Sequence, residues 1–424
     1  MKSIINKIFN NNKNLDQKFI LFNEIKKKFS IEKIFKSISE FSDTSEIRYV
    51  GGCVRKIINN ETVDDIDLAT NLNPEKVIEC LKKNNINYYE TGIKHGTLTA
   101  IINDKKFEIT SLRKDIFTDG RHAKVQFSDN WHEDASRRDF TINCIYSDIN
   151  GNLFDPFNGS NDLKNGKLNF IGNPEKRIKE DYLRILRYIR FFLNYSKRDH
   201  DLNVKKIIKQ NINGVISLSN ERLLDELKKL VLSKGFLKLY KDQFCLEIIL
   251  LIFPQLKNIK IFSTLNDYAI KNYFSKDFIF LLSLMIIDET DNTDYFLYKF
   301  NLSNQDKQRI NFLKNIFSNS ITSNTFLEKN LWKIFYYNGK NNLEDVINFQ
   351  IFKSKKIDNN LIKLGEFFNL QSQPVFPVKA KKLMEKYNLK ENKNLGLKLK
   401  EMENIWVNNS FKISEKEIEK IIKN

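Results

Sequence analysis

Gly51-Gly52-Cys53-Val54-Arg55 and, a short distance on, Asp65-Ile66-Asp67-Leu68-Ala69-Thr70 decide how this chain is read. Ile47-Arg48-Tyr49-Val50 before the glycines reads as a β-strand. The Gly-Gly pair therefore falls where a strand ends and backbone N–H groups can turn toward an anion. Asp65 and Asp67 are two positions apart, so on a strand both side chains leave one face of the sheet and can share a hard cation. Taken alone, Asp64-Asp65-Ile66-Asp67 would be an acidic turn on a solvated face; the glycine turn just before it favours a metal site instead. The two stretches together predict a nucleoside triphosphate bound with Mg2+.

Working outward, Thr97-Leu98-Thr99-Ala100-Ile101-Ile102, then Asn103-Asp104, then Phe107-Glu108-Ile109-Thr110 predict a β-hairpin inside an α/β domain. Glu108, flanked by Phe107 and Ile109 that would face the other way, is the candidate third carboxylate. In a two-metal site one ion activates the attacking hydroxyl and the other steadies the departing pyrophosphate. After Phe170 the apolar residues recur at helical spacing, as in Leu223, Leu224, Leu227, Leu230 and Val231, and the rest reads as nearly all helix. Gln371-Ser372-Gln373-Pro374-Val375-Phe376-Pro377 reads as a linker, and Ser414 with Glu417 as a capping box opening a last helix. No internal repeat is visible.

The 424 residues exceed one compact core, and a formal charge of +17 favours a polyanionic partner through counterion release, although a composition rich in Lys, Asn and Ile accounts for part of it. Cys53, Cys80, Cys144 and Cys245 form no CxxC pair, which predicts a reduced, cytoplasmic protein without a zinc knuckle. Met1 to Leu15 has no apolar core of signal-peptide length, and the most apolar later runs fall short of the ~18 residues a membrane span needs, so no membrane is expected.

Two further segments carry chemistry. Arg137-Arg138-Asp139-Phe140-Thr141-Ile142-Asn143 precedes Glu180-Asp181-Tyr182-Leu183-Arg184-Ile185-Leu186-Arg187-Tyr188-Ile189-Arg190. On one helix, Asp181, Arg184, Arg187 and Arg190 would follow one another three residues apart, a rotating stripe about 13 Å long, beside Leu183, Leu186 and Ile189 that can pack. A solvated, salt-bridged face is the plainer alternative.

Together these segments resemble the class II tRNA nucleotidyltransferases, the CCA-adding enzymes, and their relatives the bacterial poly(A) polymerases. The likeness runs from Gly51 through Glu221-Arg222-Leu223-Leu224-Asp225-Glu226 and resumes at Phe376-Pro377-Val378 and between Leu395-Gly396 and Trp406. It implies an α+β fold: a polymerase-β-type nucleotidyltransferase head at 46–165 after a helical extension at 1–45, then an all-helical neck at 166–232, body at 233–370 and tail at 371–424. It implies that Asp65 and Asp67 bind Mg2+, with Glu108 assisting them or taking a proton. Gly52, Arg55 and Arg138 would contact the nucleotide's phosphates or sugar, and Asp139 and Asn143 would support the sugar. Arg187 and Arg190 would face the nucleotide, and Asp181 with Arg184 would read its base.

That base reading has an independent chemical check. Cytosine and adenine both offer an amino donor beside a ring-nitrogen acceptor, whereas uracil and guanine offer a carbonyl beside an N–H. A carboxylate only accepts and a guanidinium only donates, so Asp181 with Arg184 suits C and A and misfits U and G. Sites built on such pairing discriminate by ~10⁴ or more. The activity implied is template-independent addition of CCA to the 3′ end of tRNA from CTP and ATP. The alternatives are a poly(A) polymerase, an enzyme adding only the final A, and a silent RNA-binding relative.

The charged segment from Arg113 to Lys124 is similar to the family's flexible loop, associated with the switch from C to A. Arg198-Asp199-His200-Asp201 superficially suggests a metal phosphohydrolase, but the histidines that domain needs are missing, since His95, His122, His132 and His200 are the only four. Trp131, Trp332 and Trp406 are read as packing residues. The chain departs from the family pattern at Lys56, where an acidic residue is usual, and at Ala380-Lys381-Lys382, where a glycine and an aspartate are usual.

Overall fold

The strands are β1 (Ile47–Val50), β2 (Asp67–Thr70), β3 (Asn87–Gly92), β4 (Thr97–Ile102), β5 (Lys105–Ser111), β6 (Arg113–Thr118), β7 (Ala123–Phe127), β8 (Tyr146–Ser147) and β9 (Leu153–Phe154). They come from a computed structural model that describes residues 21–118, 123–317 and 323–423. Seven strands form one mixed sheet in the order β3-β4-β5-β2-β1-β8-β9, and β6 pairs with β7 separately. The β4–β5 hairpin turns at Asn103 and Asp104, both at positive φ (49° and 61°), as a two-residue turn matched to strand twist requires.

Alternation along β1 and β2 decides what each face of the sheet does. Tyr49 and Leu68 pack on one face with Phe107, Ile109, Val54, Ile57, Val77 and Leu81, in a core that also holds Ile34 and Ile38. Each such fully buried side chain contributes about 1.5–3 kcal/mol. Val50 and Ala69 point the other way, to a smaller cluster with Leu112, Trp131, Ala135 and Tyr146. The first face is covered by helices Glu32–Ser39, Gly52–Ile58 and Pro74–Lys83. The last of these starts cleanly because Asn73 accepts a bond from the Lys76 N–H and proline occupies the first turn. The second face is left to support chemistry.

Among the described residues no strand follows β9. Helices Pro174–Glu180, Leu183–Tyr195, Leu202–Asn211, Asn220–Val231 and Gln243–Ile252 complete one compact unit, Met1–Ile252. The spacing read at Leu223, Leu227, Leu230 and Val231 is a helix whose buried stripe holds those four residues. The second unit, Phe253–Asn424, is helical. Helix Phe278–Ile286 is buried on every side, and helix Glu328–Lys353 is broken at Gly339, whose φ is 79°. Residues 371–379 carry no helix, as the proline-rich stretch predicts. In the capping box the Ser414 N–H donates to Glu417 at 2.7 Å and the Glu417 N–H to the Ser414 hydroxyl at 3.3 Å. No described helix is long and apolar enough to cross a membrane. Of the charged 113–124 segment, residues 119–122 lie outside the described residues, as do residues 1–20 of the 1–45 extension.

Candidate active site

Gly51 ends β1 with φ 68° and ψ −119°, a conformation open mainly to glycine, and helix Gly52–Ile58 starts directly after it. The reversal leaves the first N–H groups of that helix free to face a cleft of about 650 Å³, which Gly51, Gly52, Asp65 and Asp67 help to line. β2 begins at Asp67; Asp65 stands in the irregular segment before it, exposed, and so does not share a strand face with Asp67 as expected. The pairing with Glu108 is closer than sequence spacing alone could specify. β2 and β5 are parallel and in register at Asp67 and Glu108, which sets both carboxylates on the same face, with Phe107 and Ile109 buried on the other. Burial raises the Asp67 carboxyl above its usual range, and the charge of Glu108 raises it further. Glu108 itself is exposed and stands beside the cleft rather than among its lining residues.

The next motif supplies cations held by buried anions. Asp134, on helix Trp131–Ser136, receives Arg137 at 2.6 Å, Arg138 at 3.0 Å and the Tyr146 hydroxyl at 2.7 Å. Burial alone would raise its carboxyl, but the two guanidiniums and the hydroxyl together hold it well below the usual range. Asp139 is held low in the same way: against its burial stand Arg187, whose Nε donates at 2.6 Å, the Asn143 amide at 2.9 Å and the Phe140 N–H. Asn143 in turn accepts from Arg55, whose guanidinium lies over the rings of Phe191 and Tyr195. The Arg55 Nε is buried without a hydrogen-bond partner among the described residues, as suits a cation awaiting an anion.

The base-reading stripe departs from expectation. Asp181 is not on the helix with the arginines; it is extended (φ −155°, ψ 105°) between Pro174–Glu180 and Leu183–Tyr195. The chain breaks because the Asp181 carboxylate accepts from the Leu183 N–H at 3.1 Å and so starts the second helix. Arg184, Arg187 and Arg190 are on that helix, with Leu186 and Ile189 buried behind them. Asp181 pairs with Arg222 at 2.8 Å, Arg184 with Glu180 at 2.8 Å, and Arg190 with buried Glu226. Arg177 also binds Glu180, and it donates to the backbone carbonyls of Arg137 and Arg138, tying the Arg137-Arg138 motif to the segment before helix Leu183–Tyr195.

All the sequence-predicted nucleotide residues, Gly52, Arg55, Arg138, Asp139, Asn143, Asp181, Arg184, Arg187 and Arg190, line the one cleft with Asp65 and Asp67. Its lining carries nine lysines and arginines against four aspartates, a surplus that attracts anions. Sequence reasoning assigned no role to Asp134, Arg177, Glu180 or Arg222. The spacing of Asp134 from Arg137 and Arg138 was a readable helical pairing signal; Arg222 gives no local one.

A family model described as the poly A polymerase head domain matches residues 47–169. The chain is similar to CCA tRNA nucleotidyltransferase 1, mitochondrial, of Homo sapiens, 44% identical over 201 residues, or 46% of each chain. A CCA-adding enzyme of Lactobacillus helveticus is 38% identical over 187 residues, 44% of this chain and 46% of that protein. The chain thus spans about half the length of the curated relatives it matches. Its fold is that of the Bacillus stearothermophilus CCA-adding enzyme in complex with CTP, with a TM-score of 0.70 and 20% identity over 90% of this chain and 93% of that one. A Thermotoga maritima CCA-adding enzyme complexed with tRNA-CCA gives 0.58 and 18% over 93% and 95%. The fold is thus shared along nearly the whole chain.

Proposed function

We propose that this chain adds C, C and A to the 3′ end of tRNA without a nucleic-acid template, consuming CTP and ATP and releasing pyrophosphate. The observation that carries the reading is a single cleft lined both by the carboxylates of Asp65 and Asp67 and by the Asp181–Arg184 pair. The names of the relatives support it, as does the likeness in fold to structures holding CTP and tRNA. On this reading 46–165 is the head, 166–232 the neck, 233–370 the body and 371–424 the tail, with 1–45 a leading helical extension. Four free cysteines fit a reducing compartment such as the cytoplasm.

The donors around Asp67 are all oxygens, and mutual repulsion with Glu108 is relieved by a divalent cation, so the set fits Mg2+. Asp65 and Asp67 would hold the Mg2+, which when bound shields the triphosphate and acidifies the attacking ribose hydroxyl. Gly52 and Arg55 receive phosphates at the glycine turn, and Arg138, held rigid by Asp134, adds a fixed charge beside them. Asp139 and Asn143 orient the sugar. Asp181 accepts from the amino group of C or A while Arg184 donates to the ring nitrogen; each is steadied from behind, by Arg222 and Glu180 respectively.

The test is incorporation into tRNA lacking its 3′ end, with each nucleotide supplied separately. C is expected before A, and A only after two C residues; failure of that order overturns the reading. A long A tail on generic RNA would instead support poly(A) synthesis, which the description of the matching head model keeps in view. A single A added only to tRNA already ending in CC would mark an A-adding enzyme. Glu108→Gln separates the two roles open to that residue. If it takes the proton, the acidic limb of the pH–rate profile disappears; if it supports the metal, raised Mg2+ restores the rate.

A further inference from the structure

The sequence stretch Arg198-Asp199-His200-Asp201 finds no use in nucleotidyl transfer, yet its histidine is the centre of a second cluster. His200 follows the base-reading helix Leu183–Tyr195 and lies against the start of helix Gln243–Ile252. Its Nε2 is 2.8 Å from an oxygen of Asp242 and 3.6 Å from the sulfur of Cys245, and the three ligand atoms lie within 4.8 Å of one another. The side chain of His200 is 9% exposed and that of Asp242 21%, while Cys245 is fully buried.

The geometry points to a binding site for a transition-metal dication of the zinc type, formed by His200 Nε2, the Asp242 carboxylate and the Cys245 sulfur. It is independent of the nucleotidyl-transfer reading. Three arguments carry it. The donors are one nitrogen, one oxygen and one sulfur, a borderline-soft set that suits Zn2+ and is foreign to Mg2+, whereas the carboxylates around Asp67 are all oxygen. The 3.6 Å between nitrogen and sulfur is close to the roughly 3.5 Å expected between two such ligands on a tetrahedral Zn2+. The 2.8 Å hydrogen bond to Asp242 would open by about half an ångström as the ion replaces the shared proton. Finally, the other ring nitrogen, Nδ1, is 2.9 Å from the Tyr188 hydroxyl, and Phe192 stacks on the ring at 3.5 Å between centroids. An outer partner that fixes tautomer and orientation is what a metal-binding imidazole ordinarily has.

Binding displaces two protons, that of the Cys245 thiol and that shared by His200 and Asp242, both released to solvent; no electron is transferred. The ion would clip the end of the base-reading helix to the helix that begins at Gln243. Three protein donors leave the fourth corner to water.

The test uses the full chain, stripped with chelator and reloaded with Zn2+ or Co2+ in the absence of nucleotide. One equivalent of Zn2+ retained through dialysis, and a thiolate-to-cobalt charge-transfer band with Co2+, are expected. Asp67→Ala should keep both, while Cys245→Ser should lose the band and His200→Ala should weaken retention at least tenfold. Should either variant fail to fold, the Co2+ spectrum of the unaltered chain decides. Absence of the band, or retention that survives both variants, shows that His200, Asp242 and Cys245 form a hydrogen-bonded lock only and overturns the proposal.

Discussion

Asp134 is buried and Asp67 half-buried, and their environments drive the two carboxylates in opposite directions. Asp134 is 1% exposed and answers two arginines, so its removal leaves both without their anion. Because those arginines keep partial access to water, Asp134→Ala is expected to cost about 3 kcal/mol, the lower end for breaking a buried pair, readable by urea unfolding. The sign of its pH dependence follows from the depressed folded pKa. The stabilisation is present above the unfolded value near 3.9 and is lost as pH falls through the folded one, so unfolding free energy should stay level from neutral pH to about 5 and decline below 4. Asp67 is raised instead, because burial and the charge of Glu108 outweigh the nearby Arg138 and Arg55. Asp67→Ala should leave no more than a trace of transfer in Mg2+ with the fold intact by circular dichroism; appreciable turnover would contradict the metal role.

Among elements, the ones legible in the sequence are those that short-range chemistry specifies. The Asn103-Asp104 turn, the glycine reversal after β1, the Leu223 to Val231 stripe and the Ser414–Glu417 box are each fixed within a few residues, and each forms as read. The segment from Asp181 to Arg190 is legible in its residues but not in its shape. A spacing of three continues unbroken across Asp181, while the hydrogen bond from the Leu183 N–H to that carboxylate starts a new helix there, a cue of the N-cap kind that periodicity hides. Arg222 and Glu226 come from a helix far along the chain, and only folding reveals that they hold Asp181 and Arg190. The same reasoning finds a control point at Gly214. A Cβ there would lie 2.1 Å from the ring of Tyr182, the residue after Asp181. Gly214→Ala should therefore displace that ring and lower the preference for C and A over U and G several-fold, with phosphate and metal binding little changed; equal losses in both would show general disruption.

For the whole molecule, charge is the property that outlasts composition bias. The +17 of the chain is matched locally by nine cations against four aspartates in the cleft, so the surplus is concentrated where an anion is expected. Binding of tRNA should weaken steeply with salt, by about tenfold or more between 50 and 200 mM for as few as two to three phosphate contacts. A salt-insensitive affinity would place recognition elsewhere than on phosphates. The parallel pairing of β2 with β5 has a consequence for synthesis. A parallel neighbour cannot be reached by a tight turn, and here β3 and β4 must both be laid down before Glu108 arrives beside Asp67. A nascent chain leaving the ribosome exposes Asp65 and Asp67 well before Glu108. The set of Asp65, Asp67 and Glu108 is complete only after β5 emerges, so a chain stalled before that strand lacks its third carboxylate.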